Sequence, residues 1–324
     1  MPQLNLIKGH GCGVDVLVID AAPAAADEDF GLESLVRRLC DRRGPVGAEA
    51  VYFLDDEAAE PEFWCFGAEG GAVRGSAYGL GVVGRVLLDR RGVDEVWLRR
   101  ADERHLVRRS DESPEGVKRV AIETSAIAYD TAWAQAGEII PAFSERRPVT
   151  SVAVPEAQLV CIVGRYVEDE LVELGRRVEA DRSAFPTCPN ISFLMPLDGD
   201  GEAFVRTYEY GVGVTRSSAA GVVAARAVYS RLGVVGPDTP VLVRTPGGPV
   251  RATLRVEDES WIPTLETNAT LTYSASVDPK LLLASSVPVS LDLDANLDEV
   301  TSYAAFRSAN ARALEAAGVT YSAP

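Results

Sequence analysis

The chain opens with a short apolar segment, Leu4-Asn-Leu-Ile-Lys8, that reads as a strand running into a glycine-punctuated loop, His10-Gly-Cys-Gly13. The next run, Val14-Asp-Val-Leu-Val-Ile-Asp20, alternates only in part, which predicts a strand covered on both faces. Over 29–42, Phe30, Leu32, Leu35, Val36 and Leu39 recur at helical spacing behind acidic residues, so a helix is expected there. Strands are expected near 50–54 and 63–66, followed by a glycine-rich loop over 67–75. From Ser76 a small-residue turn opens the apolar run Gly79-Leu-Gly-Val-Val-Gly-Arg-Val-Leu-Leu88. Strands near 95–99, 104–108 and 118–125 complete this half, and a connector around 141–148 follows.

The second half repeats the plan. A strand over 158–163 leads to a helix over 168–180, then strands over 191–196 and 203–210. A turn, Gly211-Val-Gly-Val-Thr-Arg-Ser-Ser218, opens a helix over 219–231, and strands near 240–244 and 250–256 finish the lobe. Each half carries a Ser-Ala-X-Gly turn at the start of an apolar, small-residue helix: Ser76-Ala-Tyr-Gly79 and Ser218-Ala-Ala-Gly221. This internal echo is the strongest organisational signal in the sequence. It divides the chain into halves at 1–147 and 148–277, with an extension at 278–324 that contains a helix near 297–317. Apolar Leu297, Val300, Tyr303, Ala304 and Phe306 fit that helix either to a sheet edge or to a homodimer contact.

A length of 324 residues fits two compact lobes. Hydrophobic residues at 47% and charged residues at 25% exclude disordered and fibrous classes. No apolar run approaches the roughly 20 residues of a membrane span, and the N-terminal stretch lacks the pattern of a signal peptide. A cytoplasmic protein without membrane partners is the expectation. A net charge of −16 gives no basic footprint for nucleic acid. The five cysteines are scattered without a CxxC and only two histidines exist, His10 and His105, which disfavours a metal site or a disulfide framework. Gly79-Leu-Gly-Val-Val-Gly84 fits GxGxxG superficially, without the strand–helix–strand context or acidic ribose ligand of a dinucleotide site.

At the two serine turns the chain resembles diaminopimelate epimerase, which has Cys-Gly-Asn-Gly in its first half and Cys-Gly-Thr-Gly in its second. Ser76 and Ser218 fall on the two cysteines. Lys8-Gly-His-Gly-Cys-Gly-Val-Asp15 is similar to the family's Lys-Met-His-Gly-Leu-Gly-Asn-Asp. Phe66-Gly-Ala-Glu-Gly70, Pro189-Asn-Ile-Ser-Phe193 and Tyr208-Glu-Tyr-Gly-Val-Gly-Val-Thr215 resemble further family segments in the same order. The resemblance implies an α/β fold of two pseudo-symmetric halves, each a strongly bent, mostly antiparallel sheet around a central helix. It implies an active site between the halves that works without cofactor or metal on a small-molecule carboxylate. The N–H groups and positive ends of the two helices would hold that carboxylate, with Ala77, Tyr78, Gly79, Ala219 and Ala220 lining it.

The chain departs from the family where the chemistry sits. A thiol titrates near ~8.5 and can be tuned downward, whereas a serine hydroxyl needs a neighbouring base. A Ser/Ser pair is therefore a poor two-base epimerisation machine. Val14, Tyr210 and Val214 replace family Asn, Arg and Glu, while Asn190 and Glu209 are kept as substrate-binding candidates. These losses argue against diaminopimelate as substrate. The phenazine-biosynthesis isomerases share the fold and shuttle a proton on one glutamate; Ala48-Glu-Ala-Val-Tyr-Phe53 resembles that segment and puts Glu49 on the shuttle position. Beside apolar Val51 and Tyr52 its pKa is expected to rise.

The catalytic candidates are thus Glu49, Ser76 and Ser218. The leading expectation is a cofactor-independent isomerase moving a double bond in an amino-acid-derived carboxylate. The resemblance also implies a setting in secondary (antibiotic) metabolism, including formation of 4-alkylproline units. Alternatives are an amino-acid racemase or epimerase, and a non-catalytic carboxylate-binding descendant. Each candidate also has a structural reading. The serines are good N-caps, Tyr78 and Tyr210 are good core residues, and Glu49 suits a solvated strand end.

Overall fold

The structure, a computed structural model, describes residues 3–24, 26, 31–57, 60–128, 137–197, 201–258, 260–284 and 291–322. The chain packs as two compact units, Met1–Ile122 with Thr267–Ala305, and Glu123–Glu266 with Phe306–Pro324. This division differs from the sequence-based boundaries at 147/148 and 277/278. Its cause in the first unit is the strand Thr270–Val277, which returns to pair antiparallel with the first strand, Leu4↔Val277 through His10↔Thr270.

In the first unit, the strands Leu4–Gly11 and Val14–Asp20 form an antiparallel pair. Helix α1 (Leu32–Cys40) carries the chain over to a parallel partner, Ala50–Asp55, which pairs antiparallel with Glu62–Gly67. Helix α2 (Ala77–Arg91) makes a second crossover to the antiparallel pair Glu95–Arg100 and Glu103–Ser110. Phe30, expected in α1, lies outside the described residues. Strand alternation sorts the side chains into two layers. Leu17, Ile19, Val51 and Phe53 pack with Leu35, Val36 and Leu39 of α1, while Val16, Val18, Tyr52 and Leu54 pack with Leu80, Val82 and Val83 of α2.

Helix α2 is buried continuously from Tyr78 to Leu88, as a helix apolar all round should be. Its glycines are packing devices. A Cβ on Gly84 would lie 2.6 Å from Val107 Cγ1, and one on Gly81 would lie 3.0 Å from Ile122 Cδ1. The GxGxxG run is thereby explained by helix–sheet contact. The helix ends at Gly92 in the left-handed region, φ 62°.

The second unit repeats this order. Strands Pro148–Val154 and Glu156–Ile162 are antiparallel, and α3 (Glu168–Ala180) crosses to the parallel strand Asn190–Pro196. That strand pairs antiparallel with Glu202–Glu209, and α4 (Ala219–Arg231) crosses to the antiparallel pair Val241–Thr245 and Gly248–Glu257. Leu159, Cys161, Ile191, Phe193 and Phe204 cluster with Leu171, Leu174 and Val178 of α3. The opposite face carries Gln158, Asn190, Ser192, Thr207 and Glu209 and looks towards α4. Last comes α5 (Leu297–Ala316): Glu299 binds Arg85 and the Leu271 N–H in the first unit, and Asn310 donates to the Thr245 carbonyl in the second.

Candidate functional site

Both central helices begin at the expected serine. Ser76 Oγ accepts from the Gly79 N–H at 3.1 Å, and Ser218 Oγ accepts from the Gly221 N–H at 3.2 Å. Each is a regular N-cap. The first-turn N–H groups of any helix have no intrahelical acceptor, so each start favours an anion. Both helices press hard onto their sheets. A Cβ on Gly79 would fall inside contact of the Tyr52 ring, and one on Gly221 would fall inside contact of the Thr207 and Ser192 hydroxyls.

Beneath α2, the Ser76 N–H donates to Tyr52 Oη at 3.0 Å, and Tyr52 Oη donates to the Ser76 carbonyl at 3.3 Å. Burial, with the neighbouring Cys65, raises the Tyr52 phenol well above its usual range, and burial pushes the Cys65 thiol up to about 12. Both stay protonated at neutral pH. Ser76 therefore caps its helix beside two acids too weak to serve it as bases.

Beneath α4 the arrangement differs. Ser192 and Thr207 are hydrogen-bonded to each other at 2.8 Å, and Ser218 is buried with 4% exposure. The Glu209 carboxyl takes a hydrogen bond from the Ser218 side chain. Burial holds the Glu209 pKa above the ordinary carboxylate range, the Glu156 charge adds to that rise, and the Ser218 hydrogen bond opposes it. In the sheet Gln158 lies opposite Asn190, and Ile191 lies opposite Tyr208, so continuing that register by one residue brings Asn190 abreast of Glu209 and sets the three in one row on one face. Asn190 Oδ1 accepts from the Tyr210 N–H at 2.9 Å, which fixes the chain leaving Glu209.

No family model matches the chain. It is 25% identical over 263 residues to the diaminopimelate epimerase of Clostridium acetobutylicum, covering 77% of this chain and 78% of that one. Among solved structures it is similar to a phenazine biosynthesis protein of the PhzF family from Bacillus anthracis, with TM-score 0.62 and 14% identity over 86% of this chain and 100% of the other. A probable proline racemase from Agrobacterium radiobacter K84 gives TM-score 0.62 and 17% identity, covering 86% and 95%. The chain has the diaminopimelate epimerase-like fold.

Relatives of the diaminopimelate epimerase-like fold named as epimerases support an isomerase-class activity for this chain. Among the described residues, no helix is long and apolar enough to cross a membrane, and no group of three His, Cys, Asp or Glu is placed to hold a metal ion. Of the residues the resemblance singled out, Ala77 and Ala220 are partly accessible and Ala219 is buried at its helix start. Tyr78 is only 1% exposed and its Cβ stands against Gly11, so it packs as a core residue at a helix start. Val14 is half-buried in the second strand, and Tyr210 lies under the Arg182 guanidinium, 5.7 Å from its ring centroid.

Glu49 does not have the apolar burial expected of it. Its side chain is 51% exposed and stands 3.8 Å from Arg42, next to an ion-paired cluster of Lys8, Asp15 and Arg42. The reason is strand parity. Ala50, Tyr52 and Leu54 face α2, whereas 49, 51 and 53 belong to the opposite phase, and Glu49 emerges where the strand begins. The raised carboxyl belongs to Glu209, read from the sequence as a substrate contact. The sequence alone does not show that the Gln158 amide is buried on the same face. The signal available for it was a lone amide in the otherwise apolar strand Leu159-Val-Cys-Ile162.

Proposed function

We propose that this chain is an isomerase that relocates a double bond by moving one proton on a small, amino-acid-derived carboxylate, with Glu209 as the proton carrier. The observation that carries the reading is the place of Glu209, half-buried at the end of its strand beside the buried Ser218 that caps α4, with its pKa raised by burial and opposed by the Ser218 hydroxyl. The substrate carboxylate binds at the first-turn N–H groups of α4, where the positive end of the helix also stabilises charge that develops on it. The Glu209 carboxylate takes a proton from one allylic carbon. The C–H electron pair becomes the new double bond, the old double bond's electrons shift to the far carbon, and the same carboxylic acid returns the proton there. A carboxyl whose pKa is lifted towards the working pH suits both half-steps.

Racemisation would need a second group to deliver a proton from the opposite side. The resemblance to the 4-alkylproline setting supplies a concrete test compound, a pyrroline-2-carboxylate bearing an alkenyl side chain. In D₂O the wild type is expected to incorporate deuterium at the far end of the conjugated system without exchange confined to the α-carbon. Glu209→Gln should abolish this. Full exchange in Glu209→Gln together with loss in Glu49→Gln would return the proton to Glu49 and overturn the assignment.

A further inference from the structure

Gln158 is fully buried, at 0% exposure, and neither its Nε2 nor its Oε1 has a hydrogen-bond partner. A buried amide left unpaired at both ends costs about 1–3 kcal/mol per group, so an apolar residue of the same shape would make a more stable protein. Its neighbours on the same strand and face are apolar Val160 and acidic Glu156. It stands in the row Gln158–Asn190–Glu209, on the face over which α4 begins, and two strand spacings of about 5 Å each separate it from Glu209.

We infer that Gln158 is a specificity-determining residue whose amide pairs with a donor–acceptor edge of the substrate, an N–H adjacent to a carboxylate. This rests on the carboxylate site proposed at α4 and names the substrate class more closely, an α-amino or cyclic imino acid that keeps its N–H. Oε1 accepts from the substrate N–H while Nε2 donates to the near carboxylate oxygen. The far oxygen is left to the first-turn N–H groups of α4. A primary amide is suited to this because it presents one acceptor and one donor side by side. Binding then replaces an unpaired buried amide with a paired one, and the instability of the ligand-free chain is the counterpart of that discrimination.

The test uses two planar carboxylates of equal shape, pyrrole-2-carboxylate and furan-2-carboxylate, which differ in N–H against ring oxygen. Titration calorimetry on the full-length wild type is expected to show pyrrole-2-carboxylate binding at least about tenfold tighter, about 1.4 kcal/mol. Gln158→Leu, and Gln158→Met as the unbranched second variant, should bind the two equally and melt at or above the wild-type temperature. Retention of the tenfold preference in a folded variant overturns the inference and leaves the carboxylate site standing, as does equal binding by the wild type. Failure of the wild type to bind either compound overturns both.

Discussion

The two units are built on one order of strands and helices, yet their central helices begin over different floors. In the first, the pair beneath the helix start is Tyr52 with Cys65; in the second, the equivalent register holds Ser192 with Thr207. The outer row runs Val16–Ala50–Gly67 in the first unit and Gln158–Asn190–Glu209 in the second. Duplication of the fold thus gives two similar anion-favouring helix ends, because capping and close packing need only Ser and Gly. The chemistry beneath them differs: Tyr52 and Cys65 stay protonated under the first, and a carboxyl, Glu209, stands beside the second. Pseudo-symmetry of the backbone therefore does not entail the same side chains beneath the two helix starts.

The comparison breaks first at Glu209. Glu209→Gln should lower the proton-transfer rate by about 10²–10⁴-fold, measured as deuterium incorporation. The same substitution has an opposite effect on stability. A folded-state pKa raised above the unfolded value means that the native protein holds the proton more tightly. The associated stability is present at acid pH and is lost as pH rises through the folded pKa. Glu209→Gln should therefore unfold at the same urea concentration as wild type in acid and at a higher one above neutrality.

The first unit should respond to pH in the reverse sense through His105. Burial, with Arg100 and Arg74 nearby, depresses its pKa to about 4 from 6.5. Stability from this group is intact above about 6.5 and is lost as pH falls through 4, amounting to about 3 kcal/mol when complete. Urea titrations of His105→Phe between pH 7 and pH 4 should show a flatter acid slope than wild type. An unchanged slope would remove His105 as the acid-sensitive group.

Glycine contacts give a smaller contrast. Gly79→Ala drives a methyl into the Tyr52 ring, whose Cζ and Cε2 would lie 2.5 and 2.6 Å away, and a rigid ring has nowhere to go. Gly221→Ala meets hydroxyl groups, Thr207 Oγ1 nearest and Ser192 Oγ at 2.8 Å, and displacing them costs the hydrogen bond between the two rather than the shift of a ring. Overpacking of this kind costs about 1–3 kcal/mol, and Gly79→Ala should sit at the upper end and Gly221→Ala at the lower, by urea denaturation.

Much of the fold was legible because its signals are local. Helices α3 and α4 begin and end where they were expected, and both serine turns cap helices as their sequence implied. The strands Ser260–Asn268 and Thr270–Val277 were not recognised, since Pro263 and a run of Thr, Glu, Asn and Ser imitate a loop. Ser260–Asn268 is ordered by a hairpin with Gly248–Glu257, and Thr270–Val277 by pairing with the distant first strand. For the site, residue type marked Glu49, Glu209 and Asn190 as candidates, but the different surroundings of Glu49 and Glu209 could not be read without register. Which face a carboxylate occupies, and what burial does to it, are set by partners far away in the chain.

The smallest effect separates the two caps most cleanly. Ser76→Ala and Ser218→Ala each remove one side-chain acceptor from an N3 amide, and each should cost about 1 kcal/mol. Stability alone would then call the serines equivalent. Ser218, however, also supplies the hydrogen bond that holds the Glu209 pKa down against burial and the Glu156 charge. Its removal should shift the acidic limb of the pH–rate profile to higher pH, because Glu209 must lose its proton to begin the cycle. Ser76→Ala, with only Tyr52 and Cys65 beneath its helix, should leave that midpoint where it is. Equal shifts in both variants would mean that the two floors are chemically coupled, and the asymmetry drawn from register would fail.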